Sequence, residues 1–301
     1  MAKFDKLIFL HIPKAGGSTL KDVLNRYYSE ENVYYLEVID QRMQLKEFID
    51  LPKEKKESIQ LLEGHMGFGL HNYFERKEQV KYITFFRNPV DRLISLYYYI
   101  LKNKDHYLYD EVKSKNYALR DFLMSDLTTE LDNGMTRVIA GKYPPINQCN
   151  DEMFYTAIDH LQQYFVGFGI MERYDESLAY FQKKLALDSV PFYKKVNVNR
   201  ERKEVIDNEL ATLIRERNFL DVRIYEWALI HFEKELLNLN DIDHSLQLIR
   251  ECSKAYSEGR VNVSTTLSRK IYQEGYWQGY KDASRDFHPI RRVKAWLTRK
   301  R

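Results

Sequence analysis

A segment near the amino end of the chain has the pattern of a buried strand, a tight glycine turn and the start of a helix. In LIFLHIPKAGGST, residues 7–19, four apolar residues come first, and apolar positions recur at helical spacing after Thr19. The two glycines let the backbone approach a ligand closely, and the helix N-terminus directs N–H groups and the positive end of its dipole toward it. The segment therefore predicts a site for a phosphate-like anion at the carboxyl end of a strand.

The same loop supplies the donors for this anion site. Lys14 adds a mobile cation, and the backbone N–H groups and hydroxyls come from Ala15, Gly16, Gly17, Ser18 and Thr19. In the common nucleotide-binding loop of ATPases and GTPases, the lysine follows the second glycine, whereas here it precedes the glycine pair. This order argues against an ordinary ATPase or GTPase and still predicts a phosphate-binding turn.

A second segment, KYITFFRNPVDRLISLYYY at 81–99, predicts a further anion contact. Its apolar strand ends at Arg87, and Pro89 stands where the first turn of a helix tolerates proline. Arg87 and Ser95 can converge beyond the end of that strand, and the planar fork of an arginine suits a phosphate group.

Strand and helix patterns alternate along the chain, which predicts an α/β fold with a parallel sheet flanked by helices. At 301 residues the chain can bury one such domain with an appendage. Lys14, His65 and Arg87 all follow strand ends, where ligands bind in sheets of this kind. The strands are expected at 7–11, 33–39, 59–65, 81–86 and 165–168, and the helices at 18–28, 89–103, 117–125, 151–163, 173–187 and 203–239.

HIPKAGGSTL and FFRNPVDRLISLYYY together resemble the nucleotide-binding elements of sulfotransferases that use 3′-phosphoadenosine 5′-phosphosulfate (PAPS). The likeness is to the carbohydrate O-sulfotransferase branch (sulfotransferase family 2), which includes the heparan 2-O-sulfotransferases and bacterial relatives. It implies a P-loop-like sulfotransferase domain at 1–240 and leaves a helical, basic extension at 241–301. Further matches follow in order along the chain: EGHMGFGLH at 63–71, DNGMTR at 132–137, FVGFGIMERYDESL at 165–178 and VNVNR at 196–200.

The resemblance assigns roles to the residues of both segments. Lys14 is expected to stabilise the leaving phosphate oxygen, the loop from Ala15 to Thr19 to hold the 5′-phosphate, and Arg87 and Ser95 to hold the 3′-phosphate. Asn197 and Arg200, with Asn199 and Arg202, lie in a segment like the one that closes over the nucleotide in the family. In DNGMTR, Asn133 and Arg137 either line the acceptor cleft or fix the loop around it. No metal-ligand spacing is present, and sulfuryl transfer of this kind needs no metal.

The predicted general base lies in the segment Glu63-Gly64-His65. Glu63 and His65 are two residues apart and so point to the same side of a strand. A histidine with a pKa near about 6.5 is suited to accept a proton at neutral pH. The 2-O-sulfotransferases are understood to use a histidine at the matching position, so His65 is the first choice and Glu63 the reserve. His71 is an alternative acceptor-side ligand.

Composition and charge fit a soluble enzyme. The net charge is +3, and the two cysteines, Cys149 and Cys252, give no disulfide framework. No apolar run reaches membrane-span length, and a strand close to Met1 leaves no room for a leader, so a cytoplasmic, bacterial-type enzyme is expected. The expected partner is a hydroxyl-bearing acceptor, most simply a glycan or glycolipid, and no nucleic acid is expected.

The carboxyl-terminal tail is basic, with eight Lys and Arg against two Asp from Lys281 to Arg301. It could lie weakly on an anionic membrane surface, pack on the domain, cross a dimer or stay solvated.

Two other functions of the protein remain open from the residues alone. One is an ATP-using, kinase-like transferase on the same architecture, and the other is a non-catalytic binding protein that acts through this tail.

Overall fold

The structure is a computed structural model that describes residues 4–36, 45–194, 207–239 and 241–260, with the backbone of 38–39 and 42–43. Seven strands are described: β1 Lys6–Leu10, β2 Val33–Leu36, β3 Val38–Ile39, β4 Arg42–Met43, β5 Leu61–Gly64, β6 Val80–Phe86 and β7 Phe165–Ile170. Twelve α-helices are described: α1 Gly17–Leu24, α2 Leu45–Ile49, α3 Lys53–Ser58, α4 Pro89–Lys102, α5 Tyr109–Ser114, α6 Leu119–Met124, α7 Gly134–Ala140, α8 Asp151–Gln163, α9 Tyr174–Lys184, α10 Asn208–Arg217, α11 Phe219–Leu237 and α12 Ile242–Ser257.

Five strands form one parallel sheet in the order β2-β5-β1-β6-β7. Helices flank it, and the predicted α/β architecture is confirmed. The three central strands β5, β1 and β6 are neighbours, and their carboxyl ends lead directly into His65, the Lys14 loop and Arg87. The topology therefore brings three distant parts of the sequence to one edge of the sheet.

The sheet is buried on both faces, which explains why its strands lack polar alternation. All five residues of β1 are buried, and Tyr82 and Phe86 in β6 have no exposed surface. Lys6, the first residue of β1, is buried although it is charged. Its ammonium donates to the carbonyl oxygens of Glu57 at 2.6 Å and Ile59 at 3.0 Å. A lysine in a buried strand is tolerated when its ammonium is hydrogen-bonded in this way.

A second, smaller core lies around α4. Helix α4 contributes Leu93 and Ile100, and helices α5, α6 and α10 pack against it. This core fixes α4, the helix that begins just after Arg87.

The predicted helix at 203–239 is wrong as a single element, because it divides at Asn218 into α10 and α11. The Asn218 side-chain amide donates to the Ile214 carbonyl at 3.0 Å, and its Oδ1 accepts from the Asn133 backbone N–H at 2.9 Å. An asparagine used in this way at a backbone φ of −111° and ψ of 39° ends one helix and begins the next. Residues 203–206 lie outside the described residues.

Helix α12 lies in the expected carboxyl-terminal extension and packs against α9. Its Leu248 and Ile249 belong to the main core, and the Ser253 hydroxyl accepts from the Tyr193 backbone N–H at 3.1 Å. The basic tail at 261–301 lies outside the described residues.

None of the helices in the described part of the chain is both long and apolar enough to cross a membrane.

Candidate active site

The glycine turn between β1 and α1 has the backbone geometry that an anion site requires. Lys14 has φ +64° and Gly16 has φ +91°, both in the left-handed region. Gly16 is the N-cap of α1, no side chain caps this helix, and its first turn contains no acidic residue. Its first N–H groups are therefore available to an external acceptor. A non-glycine residue in the left-handed region costs on the order of 1 kcal/mol, and such residues cluster at functional sites.

Both glycines of the turn are closely packed from behind. A Cβ on Gly17 would lie 2.0 Å from Cδ2 of His11, and one on Gly16 would lie 2.3 Å from Sδ of Met171. Met171 could move, but the positive φ of Gly16 still disfavours a side chain there. The turn is thus fixed against the body of the protein.

Arg87 contacts the turn that carries Lys14. Arg87 Nη1 donates to the Lys14 carbonyl oxygen at 2.9 Å, and the Lys14 ammonium lies 3.6 Å from the centroid of the Tyr99 ring. Burial and the nearby Arg87 guanidinium lower the pKa of Lys14 to about 8, while Glu130 opposes that change. A lysine held between a cation and an aromatic face is poised to be drawn toward an incoming anion.

Arg87 lies at the junction of β6 and α4, and Ser95 lies two turns along that helix. The start of α4 is well defined, since Asn88 Oδ1 accepts from the N–H groups of Val90 at 3.0 Å and Asp91 at 3.4 Å, and Pro89 follows as the first helical residue. Both Arg87 and Ser95 are half-buried.

His65 follows β5 directly and contacts His11, the first residue after β1. Its Nδ1 lies 3.0 Å from the His11 carbonyl oxygen, and the two rings lie 4.2 Å apart between centroids. Since a carbonyl only accepts, Nδ1 carries the proton and Nε2 is the proton-accepting atom. The ring reaches solvent but is crowded by protein, and this desolvation, with Lys14 and Lys21 adding to it, lowers the pKa of His65. The ring is therefore neutral at pH 7.

Glu63 has a different environment from His65, although they are two residues apart. Only 1% of Glu63 is exposed, and its carboxyl faces Lys21, Tyr35 and Asn25 between the sheet and α1. Burial raises the pKa of Glu63 to about 7, an effect that these neighbours partly offset. The carboxyl thus lies inside the protein rather than at its surface.

The loop after His65 is held by a buried tyrosine. The Tyr82 hydroxyl accepts from the His71 backbone N–H at 2.9 Å and lies 2.9 Å from His71 Nδ1. His71 is only 5% exposed, and burial lowers its pKa to about 4. His71 therefore supports the loop from a buried position, and its alternative role as an acceptor-side ligand stays a prediction.

DNGMTR fixes a loop instead of lining a cleft. Asn133 and Arg137 are each 1% exposed. Arg137 forms an ion pair with Asp132 and donates to the carbonyl oxygens of Pro144 and Pro145, and Asn133 Oδ1 accepts from the Leu220 N–H at 2.9 Å. The structure therefore supports the alternative in which Asn133 and Arg137 fix the loop around the acceptor cleft.

Arg137→Met is expected to lower the free energy of unfolding by about 3–5 kcal/mol, because it leaves the buried Asp132 carboxylate without its ion-pair partner. Urea denaturation measures the change. Arg120→Met is the control, since the Arg120–Glu209 pair is solvent-exposed and such pairs contribute about 1 kcal/mol or less. Equal, small losses in both variants would contradict the buried-pair argument.

The structure describes some of the other residues that were predicted to bind the donor. Ala15 is buried, Thr19 is half-buried and Ser18 is exposed at the start of α1. Asn197, Asn199, Arg200 and Arg202 lie outside the described residues. Among the described residues, no group of three His, Cys, Asp or Glu side chains is arranged to hold a metal ion.

Sequence reasoning did not assign two neighbours of Lys14. Tyr99 is four residues after Ser95 on α4, so helical spacing from Ser95 would have found it. Glu130, whose carboxylate Oε2 lies 4.0 Å from Arg92 Nη1, comes from a separate segment and carries no local signal.

Comparison with known proteins gives a match to one family and matches to solved structures. The sequence model of the family described as "Sulfotransferase family" matches residues 1–228. No curated protein is significantly similar in sequence. Among solved structures, the crystal structure of mouse sulfotransferase SULT7A1 complexed with PAP matches with a TM-score of 0.38 and 13% identity, over 83% of this chain and 90% of that one.

Proposed function

This chain belongs to the sulfotransferase family, and we propose that it transfers the sulfuryl group of PAPS to a hydroxyl of a saccharide. The observation that carries the proposal is the convergence of Lys14, His65 and Arg87 at the carboxyl ends of three neighbouring strands. That convergence surrounds the uncapped N-terminus of α1. It combines an anion site, a cation and a neutral base in one place.

The residues present fit an adenosine donor that carries phosphate at both ends. The uncapped N–H groups of α1 and the Lys14 ammonium suit the 5′-phosphosulfate. The Arg87 guanidinium, with the Ser95 hydroxyl, suits the 3′-phosphate that distinguishes this donor from ATP. Asn197 and Arg200 are assigned to the donor only through their likeness to the family segment.

Sulfuryl transfer requires the protein to accept the proton of the acceptor hydroxyl and to stabilise the leaving phosphate oxygen. The acceptor oxygen attacks sulfur as the bond from sulfur to the phosphate oxygen breaks, and the acceptor proton passes to Nε2 of His65. The departing phosphate oxygen gains negative charge, which the Lys14 ammonium stabilises. We assign the base role to His65 rather than Glu63, because an acceptor can reach an exposed ring more readily than a carboxyl that is 1% exposed.

The proposed acceptor class is a glycan or glycolipid, and the proposed location is the cytoplasm. The location rests on the cysteine content of the sequence, because two cysteines far apart in the chain give no disulfide framework of the kind typical of secreted proteins.

Calorimetric titration with adenosine 3′,5′-bisphosphate tests the donor assignment. We expect micromolar binding, about −8 kcal/mol, with adenosine 5′-phosphate, ADP and ATP each weaker by about 10-fold or more. In Arg87→Ala the preference for the bisphosphate over adenosine 5′-phosphate should largely disappear, because the contact to the 3′-phosphate is gone. The exposed variant Arg120→Ala should retain it. Equal affinity of the wild-type protein for ATP and the bisphosphate would favour a kinase-like transferase instead.

A further inference from the structure

Tyr143 is an exposed aromatic side chain that the fold holds beside the loop carrying His65. It is 56% exposed. Its hydroxyl lies 2.5 Å from the position that a Cβ on Gly67 would occupy, so the ring end contacts the backbone two residues after His65. Crowding of the hydroxyl raises the pKa of Tyr143 to about 12. The hydroxyl end is therefore enclosed while much of the ring faces solvent.

The segment around Tyr143 is held rigidly. Arg137 donates to the carbonyl oxygens of Pro144 and Pro145, and Asp132 accepts from the Asn147 N–H at 2.9 Å. The two consecutive prolines also restrict the backbone. The buried DNGMTR network thus positions this tyrosine as well as stabilising the fold.

The Tyr143 segment and the His65 loop are also joined directly. The Phe68 N–H donates to the Val138 carbonyl at 2.9 Å, and a Cβ on Gly141 would lie 2.7 Å from the Phe68 carbonyl oxygen. Close backbone contact at these points fixes the position of Tyr143 relative to the residues just after His65.

We propose that Tyr143 is the acceptor-binding residue on which the C–H face of the sugar ring stacks while one hydroxyl of that sugar meets His65. The proposal rests on the proposed function and names a residue that determines acceptor specificity. The sugar that carries the reacting hydroxyl must extend over the surface around His65, and the exposed Tyr143 ring belongs to that surface because its hydroxyl lies beside Gly67, two residues after His65. Aromatic rings offer a large apolar face at little cost in side-chain entropy.

The exposure of Tyr143 favours a saccharide over a flat phenol. A pyranose has one apolar face and a polar rim that stays hydrated, so it suits an aromatic ring that is open on one side. A phenol is apolar on both faces and gains most from an enclosed apolar slot. The wide exposure of the Tyr143 ring therefore suits a saccharide better than a phenol.

Tyr155 provides a matched control. It is an exposed tyrosine as well, 64% exposed, on α8, and its ring contact is with Phe154. Tyr143→Phe is the conservative variant, because it keeps the ring and removes only the hydroxyl.

The test uses the full chain with saturating adenosine 3′,5′-bisphosphate and four probes: the methyl glycosides of β-glucose, β-galactose and α-mannose, and p-nitrophenol. Dissociation constants come from saturation-transfer NMR titrations. We expect at least one glycoside to bind the wild-type protein and Tyr143→Ala to weaken that binding about 10-fold, which corresponds to a stacking contribution of about 1.4 kcal/mol. Tyr143→Phe and Tyr155→Ala should each change the affinity less than about 2-fold.

Three results would overturn the proposal: no glycoside binding to the wild-type protein, unchanged binding in Tyr143→Ala, or loss of p-nitrophenol binding alone in that variant. The bisphosphate titration separates this failure from that of the proposed function. If the wild-type protein binds the bisphosphate selectively but Tyr143→Ala keeps glycoside affinity, only the role of Tyr143 is refuted. If the bisphosphate does not bind, the proposed function is refuted, and the role of Tyr143 with it.

Discussion

Replacing Lys14 by methionine is expected to lower the turnover number by about 10²- to 10³-fold, the usual loss when one charge-stabilising donor is removed from an active site. Methionine keeps the length and the apolar stem of the side chain but removes the ammonium that lies over Tyr99. Binding of adenosine 3′,5′-bisphosphate should weaken less, by about 10-fold, because the backbone N–H groups of α1 remain. Steady-state kinetics and calorimetry measure the two effects separately.

Lys14→Arg is the charge-preserving control, and it should retain more turnover than Lys14→Met. The pH dependence of bisphosphate binding distinguishes them further. In the unliganded protein the pKa of Lys14 is lowered to about 8, so the ammonium loses its proton as pH rises through that value. Affinity in the wild-type protein should therefore fall above pH 8, whereas Lys14→Arg should show no such decline, since an arginine stays protonated. A wild-type affinity that is flat from pH 7 to 10 would contradict the assignment of Lys14 to the donor.

Replacing His65 by alanine is expected to reduce turnover by about 10²- to 10⁴-fold, the range for loss of a general base. The affinity for adenosine 3′,5′-bisphosphate should stay within about 2-fold of the wild-type value, because the side chain is assigned to the acceptor and not to the donor. If nucleotide binding collapses with turnover, His65 supports the loop and is not the base.

Glu63→Gln is the matched comparison for His65→Ala, because it removes the charge of the reserve base while keeping the shape of a buried side chain. We expect it to retain turnover within about 10-fold of wild type. A larger loss in Glu63→Gln than in His65→Ala would make Glu63 the base.

The pH profile of the wild-type rate gives an independent check on His65. Desolvation lowers the pKa of this imidazole, so its neutral form persists to lower pH than for an ordinary histidine. The acidic limb of kcat/KM should therefore lie below pH 6.5, where protonation of Nε2 removes the base. A limb above that value would point to another group, such as Glu63, whose pKa is raised to about 7.

The part of the site that lies at strand ends could be predicted from the sequence. Lys14, His65 and Arg87 each follow a short apolar run, and parallel strands deliver such residues to one edge of a sheet. The glycine pair was equally informative, since only a turn without side chains fits against His11 at this point. Local pattern is sufficient when a residue's role depends on the strand or turn that it follows.

Roles set by distant partners could not be predicted in this way. The division of the long helix at Asn218 depends on Asn133, which is 85 residues away in sequence. The burial of His71 depends on the Tyr82 hydroxyl, and the role of Arg137 depends on carbonyl groups of a loop that has no helical or strand pattern. The same holds for Glu63, because alternation along a strand predicts the side on which a residue lies and not what covers it.

If Lys14 and Arg87 bind opposite ends of the donor as proposed, the hydrogen bond from Arg87 to the Lys14 carbonyl oxygen links those two ends thermodynamically. The guanidinium assigned to the 3′-phosphate also holds the backbone from which the Lys14 ammonium extends. A donor that lacks the 3′-phosphate would leave that guanidinium without its anion and alter the turn on which the sulfuryl group is transferred. Discrimination against such a donor would then be expressed in the rate of transfer as well as in binding, so that a nucleotide bound at high concentration would still be a poor substrate.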